Sequence, residues 1–498
     1  MTRPRFLIYD KPDGFGEGDL IEALSRFSPQ PPDVVHRLPT DASGVLLLAD
    51  TPEAAHAARA AVSEGRARIR HLFVTDRPPP NGRTEFADAA RTQFARLQTA
   101  GRLSLWSATG SEASSAMSSA ASASGLPILG DKAHGGAPFP RLLLHCEALT
   151  LDLGTEVLEA RSTVPVLLRE LALCERGRLA RWLCGADRRE RWMRSRAQAA
   201  GLATDPRAAD TDAWRRLHTD GIELRSDCLG DVEWLGWFSP TPPAEADWFD
   251  IQDFLRVLER PRWILQHRAD RGSGNASTAL WTSAGLPARW TGRENGVAYE
   301  FRRDQGLSCG LFLDQRANRL WTMRNSRDSR VLNLFCYTAG FSACAALGGA
   351  GLVVSSDLSR PFLDWGRRNF ELNGLRAERH EFRAIDSREY LKWAKKKQLS
   401  FDLIVCDPPS FSRSEKGVFR LERDFGALVA ACARALAPGG RLLVCTNFEG
   451  WDDAAFRLAL SSLGTGFRQE PSPGGECDFE GPHEARQMKS ALIRRTRP

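Results

Sequence analysis

From about residue 290 onward, short apolar runs alternate with stretches of helical spacing. RVLNLFC (330–336), LVVSSD (352–357), FRAID (382–386), FDLIVC (401–406) and RLLVCTN (441–447) read as strands. Between them YTAGFSACAALGGAG (337–351) reads as a loop passing into a small-residue helix, and PFLDWGRRNFELNG (361–374), stopped at Asn373-Gly374, and FGALVAACARALAPGG (425–440) read as helices. Strands alternating with helices of this length predict a parallel sheet covered on both faces. GVAYEFRR (296–303) and LSCGLFL (307–313) are strand-like and precede it.

The earlier chain has a different rhythm. Residues 1–155 read as short strands, FLIYDKP (6–12), RTQFARLQ (91–98) and RLSLWSA (102–108), with one helix capped by Thr51 through PEAAHAARAAVSEG. Residues 111–124 are almost entirely Ser and Ala. They suit a helix or an exposed, mobile segment, because serine competes with the helical backbone. The stretch 164–201 is helical in pattern and rich in arginine. DAWRRLHTDGIELRSDCLGDVEWLGWFSP (212–240) reads as a small strand-rich unit, and DWFDIQDFLRVLE (247–259) as a helix. The chain is therefore expected to be multidomain α/β: 1–155, a middle region 156–289, and 290–498.

Composition narrows the class. Hydrophobic content of 42% and charged content of 26% are ordinary for a soluble protein. A net charge of +6 suits an anionic partner without demanding one. Eleven cysteines are scattered singly, which fits a reducing cytoplasm and buried thiols, Cys336, Cys344, Cys406 and Cys445 among them. Nine histidines show no metal-binding spacing, so no metal is expected. The N-terminus lacks a secretory pattern, and no run approaches 18 uncharged apolar residues, so a membrane span is not expected.

In open α/β sheets the ligand lies outside the carboxyl ends of the strands. Asp357, Asp386 and Asp407 sit at such ends, and Gly340 lies in the turn after the first strand. A carboxylate after the second strand can accept from two ribose hydroxyls, and one after the third can face an adenine. Asp357 equally suits a surface acid capping the next helix. The arrangement fits a nucleoside-bearing cofactor. It does not fit a P-loop enzyme, since GxxxxGK[ST] is absent, and the missing GxGxxG weakens a dehydrogenase reading. In Asp407-Pro408-Pro409-Ser410-Phe411 two prolines stiffen the exit from a strand. Asp407 can there hold an amino group or a water, and Phe411 can stack on a base; a rigid turn is the plainer reading.

Five segments together carry a resemblance: GLFLDQRANR (310–319), VLNLFCYTAGFSACAALGGAG (331–351), SSDLSRPFLDWGRRNFELNG (355–374), CDPPSFSRS (406–414) and APGGRLLVCTN (437–447). Residues 290–498 resemble the class I, Rossmann-like methyltransferases that modify large-subunit (23S) ribosomal RNA with S-adenosylmethionine. The resemblance implies that Asp314, Gln315 and Arg316 help close the cofactor pocket. It implies that Cys336, Tyr337, Thr338, Ala339 and Gly340 line the methionine side, Asp357 holds the ribose, Asp386 lies near adenine, and Asp407 belongs to the catalytic loop. Two branches of the family matter. Cytosine C5 requires a cysteine nucleophile after the LLV-type strand, where this chain has Asn447. The guanine-N7 branch is closer, and N7 needs positioning more than covalent activation.

Residues 1–155 resemble pseudouridine synthases with an uninterrupted catalytic domain, through HRLPTDASGVLLLAD (36–50), Thr109-Gly110, GLPILGDKAHG (125–135) and RLLLHCEAL (141–149). Where that family carries its catalytic aspartate, this chain has Pro39. The family's arginine-bearing stretch after Thr-Gly is here SEASSAMSSAAS, and its tyrosine is not evident in RARIRHLFV. The resemblance therefore implies an inactive α+β, pseudouridine-synthase-like domain kept as scaffold or for RNA docking. Arg66, Arg68, Arg70 and His71 can meet phosphates, and Arg169, Arg188, Arg189, Arg191, Arg194 and Arg196 can extend that surface. Trp182 and Trp192 can stack on bases or fill a core. The expected partner is 23S rRNA or its precursor, in the cytoplasm. A noncatalytic assembly factor and a small-molecule methyltransferase are the rival classes, and the oligomeric state stays open.

Overall fold

The computed structural model describes residues 6–25, 32–111, 114–202, 209–218, 223–268, 279–304, 308–414, 417–461, 463–464, 466–474, 479 and 488–496. The chain divides into two compact units. One comprises 1–210, 215–228 and 232–284; the other comprises 211–214, 229–231 and 285–498.

The first unit is built on a nine-stranded mixed sheet. Its strands run in the order Phe6–Lys11, Ser43–Ala49, Leu144–Asp152, Ala67–Thr75, Leu103–Gly110, Gln93–Ala100 and Glu85–Ala87, with two short strands off this path. The helix Pro52–Ser63 begins as expected, with the Thr51 hydroxyl accepting the Ala54 N–H at 3.2 Å. The Ser/Ala stretch is no exposed segment in its described part. Met117–Ala123 is a helix that buries Met117, Ser118 and Ala121. Leu72, Val74, Leu105 and Leu143 share one hydrophobic core with Leu168, Leu179, Trp182, Leu217, Leu235, Phe254 and Leu265. Among the described residues this cluster joins side chains from both of the stretches expected as 1–155 and 156–289.

The arginine-rich helix Gly177–Leu202 corrects an expectation. Arg189, Arg191 and Arg196 are buried. Arg191 sends Nε and Nη2 to the two Asp187 carboxylate oxygens at 3.0 Å each, and Nη1 to Asp10. Arg194 reaches Asp10 at 2.8 Å and Arg188 reaches Asp13 at 2.9 Å. These cations staple the helix to the first strand, so five of the six arginines expected to extend a phosphate-binding surface are engaged or buried. Trp182 and Trp192 are core residues, 0% and 1% exposed. The cluster on Ala67–Thr75 is split in the same way. Arg68 faces solvent, Arg70 pairs with Glu147 at 3.2 Å, Arg66 pairs with Glu64 at 2.7 Å, and His71 is buried.

The second unit carries the predicted alternating pattern. Its strands are β1 (Arg330–Leu334), β2 (Leu352–Asp357), β3 (Glu381–Ala384), β4 (Phe401–Cys406), β5 (Leu436–Thr446), β6 (Phe467–Glu470) and β7 (Lys489–Arg495). They lie in the order β3-β2-β1-β4-β5-β7-β6. The first five are parallel, and β7 runs antiparallel to both β5 and β6. The helices are α1 (Arg316–Arg324), α2 (Gly340–Leu347), α3 (Arg360–Leu372), α4 (Ser387–Lys396), α5 (Leu421–Ala435) and α6 (Asp453–Leu460). Both sheet faces are covered, which is why the strands read as unbroken apolar runs. Leu332, Ile404, Cys406 and Leu442 pack with residues of α4, α5 and α6. The alternate residues Val331, Val353 and Leu403 pack with Ala345 of α2 and Trp321 of α1.

Two local expectations change. FRAID leaves the sheet at Ala384, and Asp386 instead caps α4. LSCGLFL forms no strand in its described part. The chain passes directly over Trp365 there, and only glycine fits: a Cβ on Gly310 (φ +125°) would stand 2.3 Å from the indole.

Candidate active site

At the carboxyl edge of β1, β2 and β4 the second unit encloses a cavity of 480 Å³. Its shape comes from the loop after β1. Phe335, Tyr337 and Ala339, every second residue, hold left-handed φ values of +54°, +50° and +59°. Such backbone is costly for residues with a Cβ and persists only where neighbours over-determine it. Here they do. The Cys336 N–H donates to Ser356 O at 3.0 Å, and the Phe335 N–H donates to the Ser387 hydroxyl at 3.1 Å. The Thr338 hydroxyl donates to Gly310 O at 2.6 Å, and the Asn369 amide donates to Thr338 O at 3.0 Å.

Asp357 closes the same loop from β2. Its carboxylate accepts the N–H of Tyr337 and the N–H of Ser359, each at 2.9 Å. Burial nonetheless holds its pKa above the ordinary carboxylate value. Asp357 lines the cavity, and a carboxylate there can accept from the two hydroxyls of a vicinal diol. Beside it stand Leu358, 44% exposed, and Phe362, an apolar wall suited to a flat heterocycle. Asp386 also lines the cavity, but both its oxygens are held by the Arg388 guanidinium at 3.1 and 2.8 Å.

Asp407 leaves β4 at the other end of the cavity, followed by Pro408 and Pro409. Its Oδ2 accepts from the Gln315 amide at 2.9 Å. Burial pushes its carboxyl up to about 7. Asp314 adds to the shift, while the Gln315 amide and the Arg319 guanidinium oppose it. Such a group gains or loses its proton near neutrality, the property of a residue that handles charge beside a reacting atom.

Of the residues singled out from sequence, Gln315, Cys336, Tyr337, Thr338, Gly340, Asp357, Asp386, Asp407, Pro408, Pro409 and Asn447 line this cavity. Four do not. Arg316 is buried with its Nε 3.7 Å from Glu294 and its Nη2 on the Ala213 carbonyl, because its place on α1 turns it away. Ala339 is buried behind the loop, Asp314 acts on Asp407 through its charge, and Phe411 stands exposed on a β-ribbon beside the cavity. Sequence reasoning missed Gly310, Phe312, Arg319, Leu358, Phe362, Ser412 and Met488. Two of these carried a signal. Leu358 follows the acid at the strand end, and Phe362 lies one helical turn beyond it. Arg319 was hidden by its partner: Glu294 accepts from its Nε and Nη2 at 2.7 Å each, across 25 residues.

A family model described as S-adenosylmethionine-dependent methyltransferase matches residues 258–458. The chain is 34% identical over 262 residues to the ribosomal RNA large subunit methyltransferase K/L of Dichelobacter nodosus, covering 49% of this chain and 34% of the relative. It thus spans about a third of that relative's length. It is 41% identical over 251 residues to the ribosomal RNA large subunit methyltransferase K of Neisseria meningitidis, covering 48% of this chain and 70% of the relative. A solved SAM-dependent methyltransferase from Streptococcus mutans aligns over 57% of this chain and 75% of its own, at 26% identity and a TM-score of 0.46. Most of the Neisseria relative is thus matched, and the stretch matched by the family model contains the loop after β1, Asp357 and the Asp407 turn: the chain belongs to the family of S-adenosylmethionine-dependent methyltransferases that includes that relative.

Proposed function

We propose that the protein transfers a methyl group from S-adenosylmethionine to a base of 23S ribosomal RNA or its precursor, with guanine N7 as the methylated atom. The observation that carries this reading is one cavity lined both by the Asp357 carboxylate after β2 and by the Asp407-Pro408-Pro409 turn after β4. The residues present suit the cofactor. Asp357 would hold the ribose hydroxyls, Leu358 and Phe362 would flank the adenine, and the loop 335–340 would line the methionine side. Once bound, the cofactor supplies an electrophilic methyl on sulfur. Asp407 and Asn447 would hold the edge of the target base, with Phe411 exposed for stacking. N7 presents a lone pair, so alignment does most of the work.

Thiol burial favours N7 over cytosine C5. Cys406 and Cys445 are 0% exposed; a hydrogen bond with Cys432, together with burial, raises the Cys406 thiol, and burial raises those of Cys445 and Cys336. Among the described residues the cavity therefore offers no ready thiolate.

We read residues 1–155 as a degenerate pseudouridine-synthase-like domain that serves as scaffold or docks RNA, and 156–289 as a region that recognises RNA. At the motif position the Lys11 ammonium is buried and donates to the carbonyls of Pro39, Thr40 and Ala42 at 3.1, 2.9 and 2.8 Å. Asp41 faces solvent, so it does not replace the missing carboxylate.

The test is mass spectrometry of methylated nucleosides in ribosomal RNA from cells with and without the gene, complemented by wild type or Asp407→Ala. Loss of 7-methylguanosine, restored by wild type alone, is the expected result. Loss of 5-methylcytidine would overturn the N7 assignment. No change in any methylated nucleoside would overturn the rRNA reading and favour a noncatalytic role or another substrate.

A further inference from the structure

Gln315 and Asn318 lie one helical turn apart, so their side chains share a face at the start of α1. Gln315 is 1% exposed and Asn318 is 2% exposed. The Asn318 Nδ2 donates to the Gln315 Oε1 at 2.6 Å, and the Gln315 Nε2 donates to the Asp407 Oδ2 at 2.9 Å. The Gln315 Nε2 also stands 3.4 Å from the Met488 sulfur, and the Asn318 Nδ2 stands 3.4 Å from the Cys445 sulfur. Asn318 does not line the cavity.

We propose that Asn318 is a positioning residue for methyl transfer: it holds the Gln315 amide in the one orientation that presents an N–H to Asp407. The argument is one of donor and acceptor counting. Turning Gln315 over alone would set Oε1 against the carboxylate and Nε2 against Nδ2 of Asn318. That is acceptor on acceptor and donor on donor, in a site without solvent. The reversed pattern is satisfied only if Asp407 carries a proton and Asn318 turns as well. Asn318 therefore biases Asp407 toward the ionised, accepting form. Its own Oδ1 is buried without a hydrogen-bond partner, a cost that the structure tolerates while Nδ2 faces Gln315. Without the Asn318 amide, Gln315 has no preferred orientation and its hold on Asp407 weakens.

The inference deepens the reading of Asp407 as the catalytic-loop carboxylate, and it is tested without turnover. The purified full chain is labelled with ¹³C at the aspartate carboxyl carbons, the Asp407 signal is assigned with Asp407→Asn, and its midpoint is followed with pH. Asn318→Ala and the nearly isosteric Asn318→Leu should raise the midpoint by about one pH unit. Gln315→Leu should raise it at least as far. Adding Asn318→Leu to Gln315→Leu should change nothing more, since the effect runs through Gln315. Thermal melts identify which variants are folded. An unchanged midpoint in either folded Asn318 variant would overturn the proposal, as would a shift that persists in the Gln315→Leu background. Because the titration needs no RNA, a wrong substrate assignment leaves its outcome untouched.

Discussion

The backbone N–H of Tyr337 donates to the Asp357 carboxylate at 2.9 Å, tying the end of β2 to a left-handed residue 20 positions earlier. Asp357 is thus both a cavity-lining acid and the anchor of the loop beside it. Asp357→Ala should weaken binding of S-adenosylhomocysteine by about 10- to 100-fold in calorimetry, the size expected for losing charged hydrogen bonds. It should also lower the melting temperature of the unliganded protein. Weaker binding with an unchanged melt would show that the loop does not depend on this anchor.

Asp407 is expected to give the reaction its acidic limb. Its carboxyl titrates at about 7, so kcat should rise with pH up to about that value and level off above it if the ionised form is the working one. Asp407→Asn should lower kcat by about 100-fold or more. The same variant should melt higher at pH 8. An acid whose folded pKa is raised binds more protons folded than unfolded between pH 3.8 and about 7. Its ionisation therefore costs stability as pH rises through that window, and the amide is spared that cost. A pH-independent rate between 6 and 8 would remove Asp407 from this role.

The buried cations of the first unit depend on their partners. Asp10→Ala would remove one of the two carboxylates that face Arg191, which is 0% exposed, leaving it Asp187 and the neutral Ser162 and Thr163 oxygens, and would strip Arg194 of a contact at 2.8 Å. A loss of about 3–5 kcal/mol in urea unfolding is expected. A loss under about 1 kcal/mol would mean that the cluster is hydrated and weak.

His36 and His71 share the Ser114 hydroxyl, His36 at 2.8 Å. Burial lowers their pKa values from 6.5 to about 4 and about 3. Below pH 6.5 the unfolded chain binds protons that the folded unit refuses, so stability falls as pH drops. Each imidazole contributes about 1.4 kcal/mol per pH unit until its own folded value is reached. Urea unfolding of the first unit should therefore be steeply acid-sensitive between pH 6.5 and 4, and His71→Asn should flatten the slope. An unchanged slope in His71→Asn would place the acid sensitivity elsewhere.

What the sequence by itself determined is local or periodic. The apolar runs predict β1, β2, β4 and β5 of the second unit, because a strand buried on both faces has no polar side to present. The acids at 357 and 407 stand out because a strand's last residue sits where the sheet opens. The Thr51 cap and the Asn373-Gly374 stop are visible in the same way, since each involves only a few neighbouring residues. What the tertiary structure alone decided is pairing across long separations. That Arg191 meets Asp10 and Asp187 rather than phosphate cannot be read from a helical pattern, since a buried cation and a surface cation are the same letter. That Arg316 turns to Glu294 while Gln315 turns to Asp407 depends on the exact pitch of α1 over the sheet edge. The left-handed turns at Phe335, Tyr337 and Ala339 carry no glycine to announce them. They exist because hydrogen bonds from distant strands outweigh a local conformational cost, and only the folded chain brings those strands together.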